Sequence, residues 1–219
     1  MTELCKCEAV ACTANRKIEF RDNVVNQTEW PHSWPYGELS YRLNNLSEDF
    51  DKKWQPLAVT QALMAWQYKI KHLKFRRERN PDAHVNINVN FSPQSTFSSA
   101  GVLAHAVYPG QGEASGDCEI NDEGWDWVAS IRDSNMGHPP LVPVLIHEFG
   151  HSIGLTHAVE YPLHTSDIMY PSFDLGQKKN TIGPFSTGRA QDRYGVRNMN
   201  QRIIDMLIRR RNLGTIFRN

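Results

Sequence analysis

The chain has 219 residues, of which 40% are hydrophobic, 10% aromatic and 22% charged. That is enough apolar mass for one core with short extensions, and it excludes collagen-like, coiled-coil and wholly disordered chains. With 24 Lys and Arg against 24 Asp and Glu the formal charge is zero, so no global field draws the protein to nucleic acid or to an anionic membrane.

Residues 1–28 are polar, carry Cys5, Cys7 and Cys12, and show neither a sustained hydrophobic period nor a secretory leader, so they read as an N-terminal extension. Three cysteines crowded there, with Cys118 far away, are not a disulfide framework spread through a fold. Asn26, Asn45 and Asn90 head glycosylation sequons that matter only if the protein is secreted. Trp30 to Gly37, rich in Pro and aromatics, reads as an irregular lead-in to a domain. Leu39-Ser40-Tyr41-Arg42-Leu43 then alternates apolar and polar residues as a half-buried strand does.

From Asp49 to about His72, Phe50, Trp54, Leu57, Ala58, Ala62, Ala65, Trp66 and Ile70 recur at helical steps, which predicts a long amphipathic helix covering a sheet. Val85, Ile87, Val89 and Phe91 alternate with Asn, and Gly101 to Tyr108 is a second β-prone run, so two more strands are expected. Pro139, Pro140 and Pro143 precede a helical run from Val144 to Gly154. Loop-like residues follow to about Asn180, then a polar segment to Gly195 and a basic tail, 196–219. No stretch approaches the roughly 20 apolar residues of a membrane-spanning helix.

The second helical run contains His147-Glu148-Phe149-Gly150-His151-Ser152-Ile153-Gly154-Leu155-Thr156-His157. Residues i and i+4 project from one face of a helix, so His147 and His151 can reach a single Zn²⁺. Gly154 can take a positive φ, end the helix and return the chain so that His157 becomes the third ligand. That leaves the fourth coordination position to water. Glu148, turned about 100° from His147, is placed to act as general base, and the spacing points to peptide hydrolysis without a covalent intermediate. A purely structural zinc site usually closes with a fourth protein ligand and would leave Glu148 without a task.

With this motif, the chain resembles the metzincin metallopeptidases and, within them, the matrixins. Ser166-Asp167-Ile168-Met169-Tyr170-Pro171 is similar to the matrixin Met-turn, which implies that Met169 lies beneath the ligands. Leu39–Leu43, Ala62–Trp66 and Gly101–Gly110 resemble the first strand, first helix and substrate-binding edge strand of that family. The resemblance implies that an extended substrate pairs with Val102, Leu103 and Ala104, and that Pro171 to Phe173 wall the pocket beside the zinc. An open edge strand offers backbone groups to peptides of many sequences.

Three departures bear on the site. The loop Ser92–Ser99 and the segment Gly116–Asn121 lack the ligands of the family's second, structural zinc, with only His105 retained, so that ion is not expected. Acidic residues, among them Asp117, Glu119, Asp122 and Glu123, lie near where the family binds calcium and are candidate Ca²⁺ ligands, although they lack the spacing of a recognised calcium loop. No matrixin-type propeptide motif occurs, yet Cys5, Cys7 and Cys12 raise the idea that a tail thiolate occupies the fourth zinc position.

Ile203, Ile204, Met206, Leu207 and Ile208 among six arginines predict a short basic amphipathic helix, either docked on the domain or offered to a membrane surface, a nucleic acid or a larger assembly. The expected protein is therefore an α+β, zincin-like domain over 29–195, with a mixed twisted sheet, a long backing helix and an active-site helix. It is flanked by the extension 1–28 and the tail 196–219. The expected activity is zinc endopeptidase action on polypeptides. The competing reading is a matrixin-fold binding or assembly module, latent or inactive, anchored by its tail. An extracellular setting is implied only by the resemblance.

Overall fold

The computed structural model describes residues 6–12, 17–22, 31–98, 101–123, 125–129, 133–134, 138–158, 166–170, 172–174 and 181–197, with backbone pairing alone for 6–12, 17–22 and 172–174. The expected basic helix beyond 197 lies outside these residues. Among the described residues, eight strands and three α-helices follow in the order β1 (Lys6–Cys12), β2 (Lys17–Asp22), β3 (Gly37–Leu43), α1 (Gln55–Gln67), β4 (Leu73–Arg77), β5 (Ile87–Ser92), β6 (Val102–Val107), β7 (Cys118–Asn121), α2 (Leu141–Ser152), β8 (Ser172–Asp174) and α3 (Pro184–Tyr194). The strands form one mixed sheet in the order β4-β3-β5-β7-β6-β1-β2-β8. The first four in that order are parallel to one another, and each pairing from β7 to β8 is antiparallel.

The α1 helix is shorter than the apolar stripe suggests, because Pro56 lacks an N–H and fits only the first turn. At its first residue, the buried Gln55 side chain accepts from Ser47 N and donates to Ser47 O and Phe50 O, tying down the preceding loop. Ala58, Val59, Ala62, Leu63 and Trp66 form its buried stripe. All twelve residues of α2 are buried, and the first helical turn reaches back to Leu141 because Pro143 is tolerated there. Both helices join the sheet in a single hydrophobic cluster that includes Trp66, Trp127, Leu103, Ile120 and Phe149.

Two sequence expectations change. Residues 6–12 and 17–22, in the segment read as an N-terminal extension with no sustained hydrophobic period, supply two strands of the sheet. Consequently β6 is no open edge: β7 pairs with one side of it and β1 with the other. Its six residues are all buried, whereas β4, at one end of the sheet, buries only Leu73 and Phe75.

The strand β7 also accounts for much of the acidic cluster. Cys118 and Ile120 point into the core, so period-two alternation sends Asp117 and Glu119 the other way. There Asp117 accepts from Asn88 N at 2.7 Å and Glu119 accepts from Asn90 Nδ2 at 2.8 Å and from the Ser92 hydroxyl. Farther along, Glu123 accepts from Gln94 N. Burial pushes the Asp117 carboxyl up to about 6, against the opposing hydrogen bonds from Asn88.

Candidate metal centre

The helix α2 carries His147 and His151 one turn apart, and Gly154 then turns the chain with φ +91°. A Cβ at Gly154 would stand 3.0 Å from His32 O and 3.1 Å from an Arg193 guanidinium nitrogen, so both conformation and space require glycine. The turn is closed by Gly154 N donating to His151 O and Leu155 N donating to Gly150 O. His157 then returns to the helix: its Nε2 lies 3.2 Å from His147 Nε2, which in turn lies 3.0 Å from His151 Nε2.

The outer ring nitrogens decide what this convergence means. His147 Nδ1 lies 2.7 Å from Ile168 O, and His151 Nδ1 lies 2.6 Å from Leu155 O. A carbonyl only accepts, so each Nδ1 carries the proton and each neutral ring turns its Nε2 lone pair inward. Two lone pairs facing at 3.0 Å repel unless a cation sits between them. Burial, followed by the neighbouring histidines, holds His147 and His157 well below the usual imidazole range, which keeps them neutral and able to ligate. The donor set therefore fits a divalent ion such as Zn²⁺.

Packing fixes the triad from several directions. Tyr108, fully buried just past β6, meets the His151 ring edge-on at 5.4 Å. Met169 is fully buried beneath α2, where its Sδ lies against Gly150. Ala158 N donates to Met169 O, joining the third-ligand loop to the turn that carries Met169. Asp167 holds that turn by accepting from Met169 N, Ser186 N and Ser186 Oγ. Near the end of α2, Trp34 Nε1 donates to Ser152 O and Tyr194 Oη donates to Ile153 O.

Arg189 is a positioning residue that the sequence reading missed. From α3 its guanidinium donates to Thr156 O at 2.9 Å and Thr156 Oγ1 at 2.7 Å, beside His157. The same positive charge helps hold His157 low. The available signal was weak: Gly183-Pro184 is a helix start, and Ala190 and Tyr194 share one face, but α3 is otherwise polar. Arg189→Ala is expected to weaken zinc binding about tenfold or more, by the usual effect of removing a group that orients a ligand. Competition with a chromophoric chelator measures this, and unchanged affinity would show that the loop holds itself.

The other expected site residues are distributed unevenly. Glu148 is fully buried on α2 beside His147. Val102, Leu103 and Ala104 lie together on β6, whose outer side is paired with β1. Phe173 stands in β8 with its backbone opposite Ile18, and Pro171 lies outside the described residues. Among the described residues, the three histidines are the only trio of His, Cys, Asp or Glu ligand atoms close enough to share an ion, and Asp117, Glu119, Asp122 and Glu123 form no such trio. Cys118 is buried, and burial raises its thiol well above the usual range, leaving it unreactive.

A mixed sheet backed by a helix, with three converging imidazoles beside a buried glutamate, defines a zincin-type metalloprotease domain. The Matrixin family model matches residues 29–199, and the chain belongs to that family of zinc metallopeptidases. Its relatives include bovine (Bos taurus) interstitial collagenase, 31% identical over 144 residues that cover 64% of this chain and 28% of the relative. Rat (Rattus norvegicus) macrophage metalloelastase matches to the same extent. Horse (Equus caballus) interstitial collagenase is 30% identical over 168 residues, covering 72% of this chain and 34% of the relative. The chain thus matches about a third or less of these relatives' length.

Proposed function

We propose that the chain is a zinc endopeptidase in which His147, His151 and His157 hold one metal ion and Glu148 is the general base. The observation that carries the reading is the inward convergence of imidazole Nε2 atoms whose Nδ1 partners are backbone carbonyls. Zinc bound there would polarise the scissile carbonyl and make an attacking water more acidic. Glu148 takes the proton of that water and returns it to the leaving amine. Met169 keeps the floor of the site dry and packed. By kinship with its family, we assign the enzyme an extracellular setting.

The substrate is an unfolded or extended polypeptide held against β6 through its backbone, with Pro171 to Phe173 walling the adjoining pocket. Cleavage of an unfolded protein by the full chain is expected to fall about a hundredfold or more when zinc is stripped by a chelator. Activity should return when zinc is restored. Cleavage that persists after complete zinc removal would overturn the reading.

A further inference from the structure

The strand β6 has two sides along which backbone hydrogen bonds can form. One is occupied by β7, with Ala104 opposite Ile120, His105 opposite Glu119 and Ala106 opposite Cys118. The other is occupied by β1, with Lys6 opposite Val107, Cys7 opposite Ala106, Glu8 opposite His105 and Ala9 opposite Ala104. A peptide added to β6 as an extra strand needs that same second row of N–H and C=O groups. Peptide and β1 therefore exclude each other.

The strand is not held by β6 alone. β1 folds back into β2 with Cys12 opposite Lys17, a four-residue connection (13–16), and β2 pairs in turn with β8, the strand just beyond the Met169 turn. The hairpin thus bridges the two walls between which the proposed substrate would lie. β1 also runs close to α2, the helix that carries His147 and His151.

We infer that the β1–β2 hairpin is a tethered occupant of the substrate groove, so that the chain in this conformation is self-inhibited and acts only when the hairpin leaves β6. This deepens the endopeptidase reading and rests on it for its consequence, though the competition itself concerns binding alone. A tethered strand acts at an effective concentration near the millimolar range, well above that of a dilute peptide. The inhibition operates through backbone pairing and needs no cysteine ligand on the metal. The strand also runs antiparallel to β6, like the other pairings from β7 to β8, with one shift of register where Val10 stands opposite Val102 after Ala9 stands opposite Ala104.

The test uses the full chain with Glu8→Pro and Ala9→Pro together. In a strand paired on both sides, successive N–H groups serve opposite neighbours, so adjacent prolines remove a donor toward each. A Glu8→Thr, Ala9→Val pair, favourable to a strand, is the control for change at these positions. Two readouts are needed. Hydrogen exchange at the amides of β6 that face β1, within Ala104 to Val107, should be slow in the wild type and control and faster in the proline variant, while the amides that face β7 stay protected in all three. Affinity for a fluorescent extended peptide, measured in a Glu148→Gln background so that nothing is cleaved, should rise at least about tenfold in the proline variant.

Peptide affinity that is unchanged while the β6 amides become exposed would overturn the inference. So would fast exchange of those amides in the wild type. Tighter binding without any cleavage in the Glu148-containing proline variant would leave the competition standing and instead overturn the endopeptidase reading.

Discussion

Glu148→Gln is expected to lower cleavage by about 10²–10⁴-fold, the range a positioned acid–base group contributes, while zinc stays bound. Glu148 is fully buried beside His147, yet it is not one of the three residues whose ligand atoms converge. Its backbone C=O is committed to the helix end, accepting from Ser152 Oγ, so the substitution leaves the α2 scaffold intact. Glutamine preserves shape and can still donate and accept hydrogen bonds, but it cannot take up the proton of an attacking water. The loss should therefore fall on kcat, with KM nearly unchanged, because the missing interaction develops during the reaction and not on binding. Zinc content measured on the same preparation separates this from metal loss. Full-strength cleavage by a zinc-loaded Gln variant would place the base elsewhere.

The triad was legible in the sequence because its geometry is local. His147 and His151 need only one helical turn, and His157 needs only the positive φ of Gly154, so eleven residues contain the whole device. What surrounds it is not local. Arg189 reaches Thr156 across 33 positions, and Trp34 reaches Ser152 across 118. Neither contact leaves a periodicity to read.

The strands divide in the same way. β5 was visible because Ile87, Val89 and Phe91 alternate with asparagines. β4 is obscured because the helical stripe runs through Ile70, close to its start at Leu73, and β7 because only Cys118 and Ile120 mark its inner face amid acidic neighbours. The acids looked like cation ligands in sequence, whereas Asp117 and Glu119 are cross-strand acceptors for Asn88 and Asn90. In the N-terminal segment, Lys17-Ile18-Glu19-Phe20-Arg21 does alternate in the manner of a strand, but while β1 lies next to it in the chain, its other neighbour β8 and the strand β6 that receives β1 lie far away in the sequence. A six-residue alternation has no force until the fold brings a free edge to meet it.

Gly150→Ala is a second test with a large expected effect, and its sign is decided by packing. On helix propensity alone, replacing a mid-helix glycine with alanine would stabilise the protein by about 0.8–1 kcal/mol. Here a Cβ would stand 2.3 Å from Met169 Sδ, 2.8 Å from Met169 Cε and 3.0 Å from Trp66 Cζ2. Met169 is flexible but fully buried, so it cannot swing into solvent, and Trp66 is pinned by its indole N–H to Ile146 O at 2.8 Å. Forcing a methyl into such a core costs about 1–3 kcal/mol, which outweighs the propensity gain. A displacement of α2 of about 1 Å would also cost up to about a hundredfold in rate, since two ligands and the base ride on that helix. The expected result is a lower midpoint in thermal unfolding together with weaker cleavage. Adding Met169→Ala should make the double variant less unstable than the two single losses summed, because the second change removes the atoms that the first one strikes. A Gly150→Ala protein more stable than the parent would mean that Met169 does not press on the helix as described.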